Sequence, residues 1–336
     1  MANDEPSLDL LWSALTGYQH TAALKAAVEL DVFTHIGSGT DTVEALAKAC
    51  KAAPRGVRAL LNFLVMDGLL ARSGERYTLT ATSATFLDRR TPSFIGSAVS
   101  FIASAGIMDG FTRLTDAVRG GGTAIPHDGT LAPENPVWVE FARSMAPLAT
   151  MSGMLLAQAL DVASAPPGKV LDIAAGHGMF GISLAQQNPG LDVTALDWRN
   201  VLGVAEENAR SAGVTNRFHL LPGSAFEVPF GEGYSLVLLP NILHHFDPPT
   251  CEQLLRKCRA ALAPGGRVVI VEFVPDDDRS GPPDAVRFAL AMLATTPAGD
   301  AYTYAELDAM LRNAGFAATT HHDLPPSPAR VVIAAR

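Results

Sequence analysis

The sequence is poor in cysteine and carries no surplus of positive charge. Only Cys50, Cys251 and Cys258 occur, with no CxxC pair. That argues against a disulfide framework or a structural zinc site, and it suits a reducing compartment; no metal is expected. The formal net charge is −9, which excludes a globally basic nucleic-acid surface. The first residues include Asp4, Glu5 and Asp9 and no basic n-region, so no secretory signal is expected and a cytoplasmic location is. Long hydrophobic runs are lacking too. The longest stretch without Asp, Glu, Lys, Arg or His, residues 91–108, has 18 residues, and eight of them are Thr, Pro, Ser or Gly. It is poor membrane-spanning material and reads as a buried helix, so no membrane partner is expected. No internal repeat is visible. What is present is 336 residues, 48% of them hydrophobic, enough for two domains with a large core.

The spacing of apolar residues predicts helices over residues 8–32, 42–50 and 55–67, the second capped by Asp41 or Thr42 and the third ended by Gly68. Residues 69–72 and 77–80 read as strands around a turn. Helix, turn, helix, hairpin is a winged-helix pattern, and Arg55, Arg58 and Asn62 would face outward. Residues 1–90 hold nine basic and ten acidic residues, which leaves no electrostatic footprint for nucleic acid, so an interaction module is the favoured reading. Residues 111–165 read as a helical connector, with loops at Gly120–Gly122 and 126–136 and a long helix over 138–160. A boundary is expected near Ala165-Pro166-Pro167-Gly168. The expected division is therefore 1–110, 111–165 and 166–336.

Beyond residue 168, strands alternate with helices, the pattern of an α/β domain with a parallel sheet. Strands are expected at 169–174, 191–197, 217–221, 233–240, 267–273, 316–322 and 330–335, the last two antiparallel because their connection is short. Helices are expected at 179–187, 201–212, 249–262, 285–293 and 303–314.

The first strand runs into Asp172-Ile173-Ala174-Ala175-Gly176-His177-Gly178, and Gly176, Gly178 and Gly181 spell GxGxxG. Asp197 follows 19 residues after Gly178, at the tip of the next strand. By spacing this is a dinucleotide fingerprint. Asp172 points elsewhere, because a carboxylate beside a pyrophosphate is repulsive, whereas it can hold an ammonium group or orient the loop. A ligand-free tight turn and a nicotinamide cofactor stay open beside S-adenosylmethionine, whose ammonium, sulfonium and ribose diol match Asp172 and Asp197.

The segment 172–178 resembles the first motif of class I S-adenosylmethionine-dependent methyltransferases. The family usually has Gly where Ala174 stands. More narrowly, nearly the whole chain resembles small-molecule O-methyltransferases of the plant caffeic-acid and bacterial natural-product type. Its most specific parts are the glycine loop, residues 239–246 and residues 265–272. The resemblance implies an N-terminal winged-helix dimerisation domain, hence a homodimer, and a Rossmann-like catalytic domain with a mostly parallel seven-stranded sheet and an antiparallel C-terminal strand. It implies S-adenosyl-L-methionine as cofactor, S-adenosyl-L-homocysteine as product and a hydrophobic, aromatic small molecule as acceptor. Asp197 would take the ribose hydroxyls and Trp198 would lie beside the adenine or ribose. Gly223, Ser224, Ala225 and Phe226 would flank the adenine; the family often has Asp at the position of Ser224.

His244, in Leu239-Pro240-Asn241-Ile242-Leu243-His244-His245-Phe246-Asp247, matches the family's catalytic histidine. A phenol ionises near pH ~10, so a base that accepts its proton lowers the barrier, and imidazole titrates in the right range. Glu272, 28 residues on, matches the glutamate that orients that histidine. A second family glutamate, expected near Ala301, is absent, and Asp300 is its one neighbouring candidate. His245 stands where the family often has Asp, and its role is open. Phe141, Met145 and Met151, with Phe288 and Met292, match substrate-side segments; such residues suit a flat aromatic acceptor. A C- or N-methyltransferase or another S-adenosylmethionine-dependent enzyme on the same scaffold, and a ligand-sensing winged-helix regulator, are the rival readings.

Overall fold

The computed structural model describes residues 6–126, 129–131 and 133–336. Three positions of the expected 126–136 loop, His127, Asp128 and Ala132, lie outside the described residues. The chain divides into two compact units, Met1–Ser104 and Ala105–Arg336.

The first unit runs α1 (Leu8–Glu29), α2 (Val32–Gly37), α3 (Val43–Ala49), α4 (Pro54–Met66), β1 (Leu70–Ser73), β2 (Arg76–Leu79), α5 (Ala81–Phe86) and α6 (Ala98–Ile102). Thr42 caps α3 by accepting from the Ala45 N–H, and Pro54 opens α4 at the first turn, where no amide donor is needed. β1 and β2 pair antiparallel, completing the helix–turn–helix–hairpin. Its core is Val32, Phe33, Leu46, Val57, Leu61, Leu64, Leu70 and Tyr77. Asn62, expected to face outward, accepts from the Tyr77 hydroxyl at 2.9 Å. The first half of α1 is different: Leu8, Leu10, Leu11, Trp12, Leu15 and Tyr18 are each more than half exposed.

The second unit begins with α7 (Ala105–Thr112) and α8 (Leu114–Gly120). Residues 91–108 are thus not one buried helix. Residues 91–97 are turn and irregular backbone, α6 ends at Ile102, and Ile102 and Met108 are exposed. A run so rich in Ser, Thr, Pro and Gly gives the backbone too many alternatives to a continuous helix.

Next come α9 (Val137–Ala159), β3 (Gly168–Ile173), α10 (Met179–Gln187), β4 (Leu191–Asp197), α11 (Arg199–Ser211), β5 (Phe218–Pro222), β6 (Tyr234–Pro240), α12 (Pro248–Ala261), β7 (Leu262–Glu272), α13 (Pro283–Thr295), α14 (Tyr304–Asn313), β8 (Thr319–Asp323) and β9 (Arg330–Ala335). The sheet order is β5-β4-β3-β6-β7-β9-β8. The first five of these strands run parallel, and β9 pairs antiparallel with both β7 and β8. This is a Rossmann-like, mostly parallel sheet closed by an antiparallel C-terminal strand, the arrangement the resemblance implied. Its central strands are buried on both faces, as their near-continuous apolar sequences require. One face packs on α9, α10 and α11, the other on α12 and α14.

Two strand starts differ from expectation by more than one residue. β7 starts at Leu262 because Gly266 lies where a Cβ would be 2.8 Å from the Tyr234 carbonyl, a close approach at a register shift. β8 starts at Thr319, not Phe316: Gly315, at φ +93°, and the Phe316 N–H bonded to Leu311 O end α14 in a Schellman motif. The strand order reverses between β3 and β6, and the carboxyl ends beside that reversal are where such sheets hold ligands.

Candidate active site

The turn after β3 is built for close approach. Gly176 and Gly178 have φ +58° and +74°. Gly181 opens α10 against the sheet, where a Cβ would lie 2.7 Å from Val193 and 2.9 Å from Asp172 Oδ2. Ala174 shares the left-handed region at φ +54°, which in a non-glycine residue costs roughly 1–2 kcal/mol. Ala174→Gly removes that strain but loosens the unfolded chain, so a net gain of roughly 0.5–1 kcal/mol is expected. Urea titration checks this; an unchanged or lowered midpoint contradicts it.

Asp172 is wholly buried beneath this turn. Its Oδ2 accepts from the Gly181 N–H at 3.0 Å, while Oδ1 has no partner. Burial, with the Asp197 carboxylate adding to it, raises Asp172 to about 7. Of the two roles open to this residue, orienting the loop is the one its hydrogen bond performs. Asp197, at the tip of β4, accepts from Gly176 N–H at 2.7 Å and Trp198 N–H at 2.6 Å, and burial raises it to about 6. Each carboxylate oxygen keeps a lone pair for a further donor. The Trp198 side chain packs with Ala142, Val201 and Val204.

The segment after β5 is tied to the same rim, the Gly223 N–H donating to Asp197 O. Gly223 has φ +138°, and a Cβ there would lie 2.5 Å from Val228. Ser224 Oγ accepts from the Phe226 N–H, so it serves its own turn. The Phe226 ring meets Phe246 edge-on, centroids 5.0 Å apart, and Ala225 O is held by Lys257.

His244 and Glu272 come together as the family resemblance implied. Glu272 ends β7, and its Oε2 lies 2.5 Å from His244 Nδ1; its Oε1 accepts from the Leu243 and His244 backbone N–H groups at 3.0 and 3.4 Å. Both side chains are nearly inaccessible. An ionised carboxylate has no proton to give, so Nδ1 is the protonated nitrogen and Nε2 keeps its lone pair. The His245 ring lies tilted against His244 with centroids 4.2 Å apart, its Nδ1 is buried without a partner, and burial holds it well below the ordinary histidine range. It stays neutral.

Phe288 on α13 meets the His244 ring edge-on at 4.6 Å and stacks on Phe273 at 4.4 Å. Met292 follows one turn later and is buried. On α9, Phe141 stacks at 5.8 Å on His177 of the glycine turn. Met145 lies one turn on and is half-buried. Met151 does not join them: ten residues beyond Phe141 it lies on another side of α9 and is 39% exposed.

Trp138 and His177 were not expected. The Trp138 ring meets both Phe141 (5.8 Å) and His245 (5.1 Å), completing an aromatic arc from the glycine turn to His244. Its i, i+3 spacing to Phe141 was a usable signal. His177 has none, since only the fold brings it to α9; its Nδ1 accepts from the Met179 N–H and burial lowers it to about 4. Asn241, at the end of β6, was quoted in the motif without a role; it has φ +55° and a buried Oδ1 without a partner. Asp300 is bound to Arg279, which also holds Glu306 and the Ala301 carbonyl. Among the described residues no group of three or more His, Cys, Asp or Glu side chains could hold a metal ion, and no helix is long and apolar enough to cross a membrane.

Comparison with known proteins adds a family to this geometry. Residues 111–317 match the O-methyltransferase domain and residues 12–89 the O-methyltransferase dimerisation domain. The chain is 32% identical over 312 residues to 3-hydroxy-5-methyl-1-naphthoate 3-O-methyltransferase of Streptomyces sahachiroi, covering 91% of this chain and 88% of that one. A crystal structure from Nostoc punctiforme, assigned provisionally as an O-methyltransferase, is 50% identical, with TM-score 0.94 over 99% of this chain and all of that one. Human N-acetylserotonin methyltransferase, solved with S-adenosylmethionine, shares the fold at 24% identity, with TM-score 0.86 over 100% of this chain and 99% of that one.

Proposed function

The chain belongs to the O-methyltransferase family and uses S-adenosylmethionine, and we propose that it methylates a hydroxyl of a hydrophobic aromatic small molecule with His244 as general base. The observation that carries this reading is the buried Glu272–His244 pair at the tips of adjacent strands, one strand from the glycine turn.

The rim suits a cationic donor. Asp172 Oδ1 and Asn241 Oδ1 are buried acceptors without partners at the ends of neighbouring β3 and β6, and Asp197 adds a carboxylate at β4. Such a set attracts ammonium and sulfonium charge and repels a pyrophosphate. Asp197 would hold the ribose hydroxyls, the Gly176–Gly178 turn would admit the amino-acid end, and Gly223, Ser224, Ala225 and Phe226 would flank the adenine beside Trp198. When bound, the cofactor would supply the electrophilic methyl group.

His244 Nε2 takes the proton of the acceptor hydroxyl. Glu272 fixes the tautomer and stabilises the imidazolium that forms. Phe141, Met145, Trp138, Phe288 and Met292 hold the ring, and alignment contributes much of the rate. Asp300 is engaged by Arg279 and leaves the place of the second family glutamate to apolar Ala301. The exposed Leu8, Leu11, Trp12 and Leu15 of α1, within or beside the dimerisation match, would be covered by a second copy.

The first test is binding. S-adenosylhomocysteine at a hundredfold excess over its Kd stabilises the native state by about 2.7 kcal/mol, a rise in Tm of about 4 °C for a chain of 336 residues. NAD is expected to give none. A shift with NAD and none with S-adenosylhomocysteine sinks the reading.

A further inference from the structure

Lys257 lies on α12, outside every motif singled out in the sequence, and is half-buried. Its Nζ donates to Ala225 O at 2.8 Å and Val228 O at 2.6 Å, and it stands 4.2 Å from the centroid of the Phe230 ring. The ammonium group is therefore spent on one target: the turn between β5 and β6. Two carbonyls and an aromatic face take up its donors.

That turn has few other anchors. Its start is held by Gly223 N–H on Asp197 O, and it closes on itself through the Glu227 and Val228 N–H groups on Ser224 O. Ser224 Oγ is likewise internal, bonded to the Phe226 N–H. From outside the turn, the side-chain hydrogen bonds of Lys257 reach Ala225 and Val228, and the Tyr234 hydroxyl donates to Phe230 O at 2.9 Å nearer its end. Helix α12 is in turn fixed beside the histidines, because Asp247 caps it and Cys251 Sγ donates to Leu243 O.

We propose that Lys257 is a positioning residue for the cofactor, pinning Ser224, Ala225 and Phe226 in the conformation that receives the adenine ring. This rests on the methyl-donor reading above. An ammonium bridging two carbonyls is worth more than neutral hydrogen bonds, and Met, of similar length, keeps the stem's packing while removing the donors. Lys257→Met then leaves the turn to sample other conformations, each binding event must reorder it, and affinity falls. The chemistry at His244 is not touched.

The test is calorimetry with S-adenosylhomocysteine and with 5′-methylthioadenosine, beside steady-state kinetics. Lys257→Met is expected to raise both dissociation constants by about 10-fold and KM for the methyl donor similarly, with KM for the acceptor unchanged and kcat within about twofold. Lys257→Arg, which can still bridge two carbonyls, is expected to recover most of the affinity. Equal affinity in wild type and Lys257→Met, or a uniform loss in kcat and both KM values that Arg does not rescue, overturns the proposal. Wild-type protein that binds no S-adenosylhomocysteine overturns the methyl-donor reading itself, and the role of Lys257 with it.

Discussion

His244→Ala is expected to lower kcat by about 10²–10⁴-fold at neutral pH, with S-adenosylhomocysteine affinity changed by less than about twofold. The side chain is buried against Glu272, so its removal takes away the proton acceptor and leaves Glu272 Oε2 without its partner, the carboxylate keeping the Leu243 and His244 N–H bonds on Oε1. The deficit should shrink as pH rises toward ~10, where a phenolic acceptor ionises without help. Glu272→Gln should also be severe. Gln must place its amide nitrogen either against His244 Nδ1–H, forcing the other tautomer, or against the Leu243 and His244 N–H groups. A pH–rate profile of wild type and both variants on one acceptor decides. Full neutral-pH activity in His244→Ala leaves alignment as the whole mechanism.

Asp197→Ala is expected to weaken S-adenosylhomocysteine binding by roughly 2–3 kcal/mol, about 30- to 150-fold, from the loss of charge-assisted bonds to the ribose. It also frees the Gly176 N–H that the carboxylate now holds. The group carries a pH signature. Burial places its free-state titration at about 6, and hydroxyl donors favour the ionised form, so binding releases a proton while Asp197 is protonated. Affinity should therefore rise from pH 5 to about 7 and level off above. The variant should lose the part of that rise that belongs to Asp197 and keep the part due to Asp172, which burial raises to about 7. Calorimetry across this range checks both the magnitude and the sign, and a wild-type Kd flat with pH removes Asp197 from the ribose.

What the sequence disclosed was whatever chain order encodes locally. Met179–Gln187, Leu191–Asp197 and Arg330–Ala335 are bounded where periodicity put them, and the GxGxxG spacing marked the turn. The approach of Glu272 to His244 was legible only through resemblance, because 28 residues and a helix separate them. The rest depends on tertiary contact. His177 stacks on Phe141, which is 36 residues earlier, and no spacing rule foretells it. Lys257 reads as one more basic residue on an amphipathic helix until the β5–β6 turn folds onto it. Asp300 was a candidate by proximity in sequence, but the cation of Arg279 claims its carboxylate. Residues 91–108 misled because lack of charge was read as continuity of helix.

Gly299 bears on how this enzyme could be re-aimed at other acceptors. A Cβ there would fall 2.1 Å from the His244 carbonyl oxygen and 2.6 Å from Thr296 Oγ1. Any larger residue must push the histidine backbone away from Glu272, so the position is closed to evolution although it makes no bond to a reactant. The aromatic rings are the opposite case: Phe288 and Trp138 contact the two imidazoles only through their faces and edges, and can be traded in size without moving the base. Diversity in acceptor choice is then reachable by single steps at the arc, along paths that keep the proton-transfer machinery fixed, and a saturation library spends its variants best there.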